Sequence, residues 1–368
     1  MEYMNYLRDL TRESKIGFGC VQNKEIILYG AGNLGILAIE TLRDGGVAPK
    51  FIVDKSKKGD LLGLPIKGLD DLSEEDKMDC IFLICISTLS YNGVSEQLHQ
   101  AGIKKLIHFY TYAYLVFPDI ISNGWILSDE DYGIDRASKV CRMIEHDDKS
   151  IAHYITFLYW KRFNQEVLFD GYGIETGNKY FKCDIMPELT EEETFLDIGC
   201  YEGNIIEKFV VVTKGEFDKI IGIDIAESFL VDASERFRDD KRISFQCCAI
   251  SDYNGISYIN DRIGMACHLD ETGEKAVDVK TVDSMNEKPT IIKVHIEGSE
   301  YQALRGAKNT IRDMRPVLMV MADHNTDGWY NIPAFMEELD GYQLYFRLHD
   351  YCGNSAVWYY IPCERGDC

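Results

Sequence analysis

Short apolar runs alternate with helical spacings along two separate stretches of the chain. In the first stretch, apolar runs at residues 24–29, 50–53, 80–86 and 105–109 predict strands, and the spacing between them predicts helices. Alternation of this kind is typical of a parallel sheet with right-handed crossovers. We therefore predict a Rossmann-like, doubly wound α/β domain over residues 1–110.

The second alternation predicts seven strands. They span residues 194–198, 219–223, 243–247, 291–296, 316–321, 342–348 and 356–361. A short link joins the last two, which predicts a doubly wound sheet with an antiparallel strand at one edge. Helical spacing near residues 134–165 predicts a helical connector over 111–177. The second α/β domain is then expected over residues 178–368.

The composition narrows the range of partners. The chain has 368 residues and a formal net charge of −22, which disfavours nucleic acid and anionic membranes as partners. No apolar run approaches the roughly 18 residues that a membrane-spanning helix needs. The twelve cysteines include no C-x-x-C pair, and several lie inside apolar runs, which predicts reduced thiols. We expect a cytoplasmic protein that acts on a small molecule or glycan.

A first glycine loop follows the first predicted strand. Gly30, Gly32 and Gly35 form a G-x-G-x-x-G pattern before a helix, and Asp54 follows the next strand. Such a loop lets a pyrophosphate approach the backbone, while the acid binds a ribose. The pattern predicts binding of NAD or a nucleotide sugar. In the alternative interpretation, the glycines serve only the close packing of helix on sheet.

A second glycine loop begins with an acid and follows the strand at residues 194–198. It contains Asp197, Gly199, Cys200 and Gly203. An acid at this place would repel a pyrophosphate but suits a ligand that carries an ammonium group. S-adenosylmethionine carries an ammonium group together with a carboxylate, which a helix N-terminus can hold. The loop therefore predicts an S-adenosylmethionine site.

Further groups follow the next two strands. Asp224 is placed to accept hydrogen bonds from both ribose hydroxyls, and Ala249 and Asp252 are placed to border the adenine. The carboxyl ends of neighbouring parallel strands meet at one edge of a sheet. We therefore expect these groups around one crevice, although acids that only cap helices and turns would leave the same pattern.

The C-terminal half, about residues 178–362, resembles the FkbM family of methyltransferases. The resemblance rests on an ordered set of residues: Lys293, His295, Glu297, Gly298, Glu300, Leu304, Gly306, Ala307, Arg315 and Pro316. It implies a class I methyltransferase fold and O-methylation, often of sugars or polyketides. His295 stands where the family usually has Asp. This departure leaves the fold expectation unchanged and affects the chemistry on the acceptor side.

The first domain resembles the N-terminal nucleotide-sugar-binding domains of PglD-type sugar acetyltransferases. The similar stretches are LYGAGNLG, FIVDKS, LLGLPI and DCIFLICIS. The resemblance implies a Rossmann-like domain in front of the methyltransferase domain. It leaves open whether this domain binds a ligand.

The acceptor of a methyl group must lose a proton, which a placed base accelerates. His324 is the favoured base because an unperturbed histidine titrates near pH 6.5. Glu297 is expected to orient the acceptor, and Lys293 to hold Glu297 ionised if both face the crevice. His295 and Lys293 also have purely structural interpretations.

Three alternatives remain open at this point. His295, Glu297, Asp323 and His324 offer metal ligands on adjacent strands, but no spacing in the sequence enforces a site, so no metal is assigned. An NAD-dependent oxidoreductase or epimerase centred on the first loop is the second alternative, although no Tyr-x-x-x-Lys pair supports it. A cofactor-binding sensor without catalysis is the third.

Overall fold

The first domain contains a six-stranded sheet. The computed structural model describes residues 3–12, 24–117, 125–128, 131–259, 273 and 275–366. The strands are β1 (Ile26–Tyr29), β2 (Ile52–Val53), β3 (Gly59–Leu61), β4 (Leu64–Lys67), β5 (Ile81–Ile84) and β6 (Leu106–His108). They lie in the order β3-β4-β2-β1-β5-β6, and only the β3–β4 pair is antiparallel. That hairpin was not predicted, and its turn places Leu62 and Gly63 in the left-handed region.

Helices cover both faces of this sheet. The first helix of the chain, α1 (Met4–Asp9), packs on the connector instead. The helices on the sheet are α2 (Asn33–Asp44), α3 (Glu74–Asp79), α4 (Tyr91–Gln100) and α5 (Phe109–Val116). A capping box between Ser73 and Asp76 begins α3, and the Ser90 hydroxyl begins α4. Buried side chains form two clusters, one on each face of the sheet.

The connector contains α6 (Ile134–Met143) and α7 (Asp148–Phe163). Nearly every residue of α7 is buried, so this helix lies inside the protein rather than on its surface. Its aromatic side chains pack on one face of the second sheet. Among the residues that the structure describes, no helix is long and apolar enough to cross a membrane.

The seven predicted strands of the second domain form one sheet. They are β7 (Thr194–Ile198), β8 (Lys219–Asp224), β9 (Ile243–Cys247), β13 (Ile291–Val294), β14 (Val317–Met321), β15 (Tyr342–Leu348) and β16 (Ala356–Pro362), in the order β15-β16-β14-β13-β7-β8-β9. The antiparallel strand is β16, and it lies between β14 and β15. The expectation of an antiparallel strand at the edge was wrong, because the last strand inserts beside β14 and leaves β15 outermost.

A second, three-stranded sheet was not predicted. It contains β10 (Ala249–Ile250), β11 (Gly255–Ile259) and β12 (Lys275–Lys280). The helices of this half are α8 (Asn204–Val212), α9 (Glu227–Arg236), α10 (Glu300–Arg305), α11 (Lys308–Met314) and α12 (Asp327–Glu337). Gly306 separates α10 from α11, and a Cβ at this position would lie 2.0 Å from the Ser251 carbonyl oxygen.

A buried arginine joins the connector to the large sheet. The guanidinium of Arg347 on β15 pairs with Asp147 at 2.5 Å and with Asp184 at 3.0 Å. Burial alone would raise the pKa of both carboxyls, but the hydrogen bonds to Arg347 outweigh burial and hold each pKa below its usual range. Both carboxylates therefore stay ionised and stabilise the contact.

The first domain contacts the connector through a carboxylate. Glu166 accepts hydrogen bonds from the backbone N–H groups of Tyr91 and Asn92 and from the Ser90 hydroxyl, all at the N-terminus of α4. Beside it, the rings of His108 and Tyr91 pack edge-on against Trp160 of α7. Glu166 thus caps a helix of another domain.

Candidate active site

A cavity of about 390 Å³ opens at the carboxyl ends of the central strands of the large sheet. Ligands bind at this place in open α/β sheets. Its walls include the glycine loop after β7, the end of β8, the residues that lead into β10, and the turn after β13. Named in full, the lining residues are Lys179, Tyr180, Ile198, Gly199, Cys200, Tyr201, Asn204, Ile205, Ile223, Asp224, Ile225, Phe229, Cys248, Ala249, Ile250, Lys293, His295, Ile296, Glu297 and Ser299.

The second glycine loop is shaped by close backbone contacts. Gly199 has φ +76°, and a Cβ there would lie 1.9 Å from the carbonyl oxygen of His295. Gly203 has φ +80° and begins α8, where a Cβ would lie 2.8 Å from the ring of Phe237. Gly199 and Cys200 line the cavity, whereas Gly203 lets α8 start behind it.

Asp197 does not reach the cavity. Its carboxylate is fully buried beneath the loop and lies 2.8 Å from the Nζ of Lys293, which is 1% exposed. Lys293 also donates to the carbonyl oxygen of Gly199 at 2.5 Å. Burial raises the pKa of Asp197, and Lys293 opposes that rise. This geometry does not support the predicted contact of Asp197 with an ammonium group or the predicted pairing of Lys293 with Glu297, because Asp197 and Lys293 pair with each other.

Asp224 lies at the end of β8 and lines the cavity. One carboxylate oxygen accepts from the N–H of Tyr201 at 2.9 Å, and the other accepts from the N–H of Ala226 at 3.0 Å. Each oxygen of a carboxylate has two lone pairs, so capacity remains on both. The side chain is thus oriented by the backbone and presented to a ligand.

The wall beyond Asp224 is apolar. Ile225, Phe229 and Ala249 form a slot that suits a flat ring, and the Phe229 ring packs on Tyr201 with centroids 4.1 Å apart. Asp252 does not border this slot. Its carboxylate lies 3.3 Å from the guanidinium of Arg305 on α10, so the predicted contact of Asp252 with adenine has no support in the geometry.

Three predicted site residues converge at the other end of the cavity. His295 and Glu297 come from the turn after β13, and His324 follows β14. The Nε2 atoms of His295 and His324 lie 3.4 Å and 3.6 Å from the same oxygen of Glu297. Glu297 has φ +53°, a strained backbone that the turn imposes. The side chains of His295 and Glu297 line the cavity, whereas that of His324 is 2% exposed.

Glu300 organises this cluster, and it was not predicted as a site residue. One of its oxygens accepts from the N–H of Ile296 at 2.8 Å and from Nδ1 of His324 at 2.7 Å. The other accepts from the N–H of Gly298 at 3.0 Å. Burial alone would raise the pKa of Glu300, but His324 and these backbone groups outweigh burial and lower it. Glu300 therefore fixes the backbone of the turn after β13 and the orientation of the His324 ring.

The reason for choosing His324 as the base does not hold. Burial alone would lower its pKa, but the carboxylates of Glu300 and Glu297 outweigh burial and raise the pKa to about 10. An imidazolium has no proton-accepting nitrogen at neutral pH. Asp323 beside it is fully buried and accepts from the N–H of Ser355 at 2.7 Å.

His295 behaves in the opposite way. Burial lowers the pKa of His295 to about 4 and outweighs the hydrogen bond to Glu297, which raises the pKa. The ring is therefore neutral. Its Nδ1 lies 3.1 Å from the hydroxyl of Tyr180, a residue that precedes the sheet by many positions. Tyr180 and its neighbour Lys179 line the cavity and were not predicted. No motif marks them; only the fold brings them to the site.

In the first domain, Asp54 points at its own glycine loop. Its carboxylate accepts hydrogen bonds from the N–H groups of Ala31, Ser56 and Lys57 and from the Ser56 hydroxyl. Three of these bonds end on Oδ1 and one on Oδ2, so most of the accepting capacity of the carboxylate is used within the loop. Gly30 and Gly35 pack so closely that a Cβ on Gly35 would lie 2.3 Å from the Gly30 oxygen, whereas Gly32 is open. This geometry favours the packing interpretation, and nucleotide binding stays a prediction.

The part of the chain that carries the histidine cluster has a recognisable family signature. Residues 238–351 match the methyltransferase FkbM domain. The matched stretch runs from β9 to just past β15 and includes His295, Glu297 and His324, while the glycine loop lies before it. The resemblance to FkbM proteins is thereby confirmed over this stretch. No curated protein matches the chain, and the resemblance of the first domain to PglD-type enzymes stays a prediction.

Solved structures extend the likeness to the whole fold. A methyltransferase FkbM from Methylobacillus flagellatus KT is 19% identical and superimposes with a TM-score of 0.68, over 98% of this chain and 95% of that chain. The predicted α/β fold class is thereby confirmed. A fibrillarin pre-rRNA processing protein from Methanococcus jannaschii, 10% identical, has a TM-score of 0.32 over 50% of this chain and 71% of that chain.

Proposed function

We propose that the protein is an S-adenosylmethionine-dependent methyltransferase. The observation that carries this proposal is the cavity itself, in which the tight loop at Gly199 and the oriented carboxylate of Asp224 stand on adjacent strands. The match of residues 238–351 to the methyltransferase FkbM domain supports the same activity. An activity centred on NAD in the first domain has no comparable support, because Asp54 is engaged by its own loop.

The cavity residues fit the three parts of this cofactor. The two oxygens of Asp224 would accept from the ribose hydroxyls, and the slot of Ile225, Phe229 and Ala249 would hold the adenine. Gly199 lets the backbone approach the methionine part, where a Cβ would intrude. When bound, the cofactor supplies a methyl group activated by a sulfonium. The chain supplies the alignment, and positioning of two bound reactants accounts for roughly 7–11 kcal/mol of barrier reduction.

The acceptor would be a hydroxyl of a small, sugar-containing molecule. His295 and Glu297 line the end of the cavity away from the adenine slot, so they are the groups placed to hold such a hydroxyl while it loses its proton. In the transfer, the acceptor oxygen loses its proton and forms a C–O bond as the C–S bond breaks, which leaves S-adenosylhomocysteine. The net charge of −22 favours a small molecule over a nucleic acid as acceptor.

Calorimetric titration of the full chain with S-adenosylhomocysteine tests the cofactor site. We expect Asp224→Ala to weaken binding by about 10- to 100-fold, because hydrogen bonds to a charged group contribute about 1.5–3 kcal/mol. The matched control is Asp239→Ala, since the Asp239 side chain is 97% exposed on the surface. Unchanged affinity in Asp224→Ala, with binding intact in the parent chain, would contradict the proposed ribose contact. Absence of binding in the parent chain would contradict the proposed function.

A further inference from the structure

The cluster of His295, Glu297 and His324 has the spacing of a metal site. Within the described part of the chain, one ligand atom from each of the three residues lies within 4.8 Å of the other two. The distances from Glu297 to the two Nε2 atoms are 3.4 Å and 3.6 Å. Donor atoms around a tetrahedral zinc ion with bonds of about 2.1 Å lie about 3.4 Å apart.

In both histidines of the cluster, the nitrogen that points away from Glu297 already has a hydrogen-bond partner. Nδ1 of His324 donates to Glu300 at 2.7 Å, and Nδ1 of His295 lies 3.1 Å from the Tyr180 hydroxyl. Histidines that bind metals characteristically use one nitrogen for the ion and direct the other to a carboxylate or another oxygen. This arrangement fixes both rings and turns both Nε2 atoms toward Glu297. These hydrogen bonds of the two Nδ1 atoms are an observation independent of the ligand spacing, and they indicate the same metal site.

The charge and accessibility of the cluster also suit a cation. Glu297 and Glu300 bring two carboxylates, while the nearby Lys293 is paired with Asp197. The side chains of His295 and Glu297 are 29% and 21% exposed, so an ion could enter from the cavity. His324 is buried behind them and would be the innermost ligand, with the ion taking the place of the proton on Nε2.

We propose that His295 Nε2, His324 Nε2 and an oxygen of Glu297 bind one divalent transition-metal ion of the zinc type, with an open position facing the cavity. Two histidines and one glutamate with an open fourth position form a known class of catalytic zinc site. The ion would bind the acceptor oxygen and acidify its hydroxyl, which releases the proton to solvent before methyl transfer. That role rests on the proposed function, whereas binding of the ion does not.

The test uses the full chain after chelation, titrated with Zn²⁺ by calorimetry and with Co²⁺ by visible absorption. We expect one ion per chain and d–d bands without thiolate charge transfer. His295→Gln and Glu297→Gln should weaken binding at least 100-fold, and Glu300→Gln by about 10- to 100-fold through the lost support of His324. His99→Gln, which changes an exposed histidine on α4, is the matched control and should leave binding unchanged. Circular dichroism checks that each variant is folded.

Two results would overturn the proposal. One is a folded parent chain that binds no stoichiometric ion, which would leave the cluster as a protonated His324 bridging Glu297 and Glu300. The other is binding that survives in both His295→Gln and Glu297→Gln, or that shows thiolate bands. Titration of the same samples with S-adenosylhomocysteine separates the two proposals, because either ligand can bind without the other.

Discussion

Replacing Lys293 by Met tests the buried ion pair beneath the cofactor loop. The side chains of Asp197 and Lys293 are 0% and 1% exposed, and their charged atoms lie 2.8 Å apart. Lys293→Met keeps most of the side-chain volume but leaves the carboxylate alone in the core. Removal of one partner of such a pair costs about 3–5 kcal/mol. Loss of the hydrogen bond to Gly199 adds about 1 kcal/mol.

The loss should depend on pH. Burial raises the pKa of Asp197, and without Lys293 the rise should be larger. A group whose pKa is raised on folding contributes stability below its unfolded pKa and loses that contribution as pH rises toward the folded pKa. The deficit of Lys293→Met should therefore be smallest near pH 4 and grow toward pH 7, by at most about 1.4 kcal/mol per pH unit.

Urea unfolding at several pH values measures this effect. Lys308→Met is the matched control, because Lys308 pairs with Glu338 on the surface with both side chains more than half exposed, so its loss should be small. The double variant Asp197→Leu/Lys293→Met should recover most of the stability, since apolar replacement of both partners is often neutral. A deficit that is independent of pH, or no recovery in the double variant, would refute the reasoning.

Three further predictions concern other parts of the fold. Gly199→Ala should abolish binding of S-adenosylhomocysteine, because its Cβ would meet a backbone oxygen at 1.9 Å. The control Gly215→Ala, at a position with φ +78° and open space, should only lower stability modestly. Equal binding in both variants would contradict this. Arg347→Met should lose about 2–3 kcal/mol in urea unfolding at pH 7 and less at pH 3. Beside Arg347 the two carboxylates resist protonation in the native parent, whereas in the unfolded chain and in the variant they take up protons as the pH falls below their ordinary pKa. An equal loss at both pH values would argue against their lowered pKa. Glu166→Gln should lower the stability of the first domain by about 0.5–2 kcal/mol in thermal unfolding, and an unchanged transition would show that the cap at α4 contributes nothing.

Local patterns in the sequence were sufficient for most of the architecture. The apolar runs predicted all seven strands of the large sheet. Most of these strands are buried on both faces, which needs a nearly continuous apolar segment, whereas the edge strand β9 is only partly buried. The missed strands β3, β4, β11 and β12 are partly exposed, so their composition does not distinguish them from loops, and the missed β10 is only two residues long. The second glycine loop was also predictable, since the left-handed backbone at Gly199 favours glycine over other residues.

Pairing between distant side chains was decided only by the tertiary structure. The sequence could not show that Asp197, rather than Glu297, is the partner of Lys293. The pKa of His324 depends on Glu300, which hydrogen-bonds to it from another element. A sequence determines which groups a chain carries, and local periodicity determines which face each occupies. Which charges meet in the interior depends on packing across segments a hundred residues apart, where burial makes each contact strong.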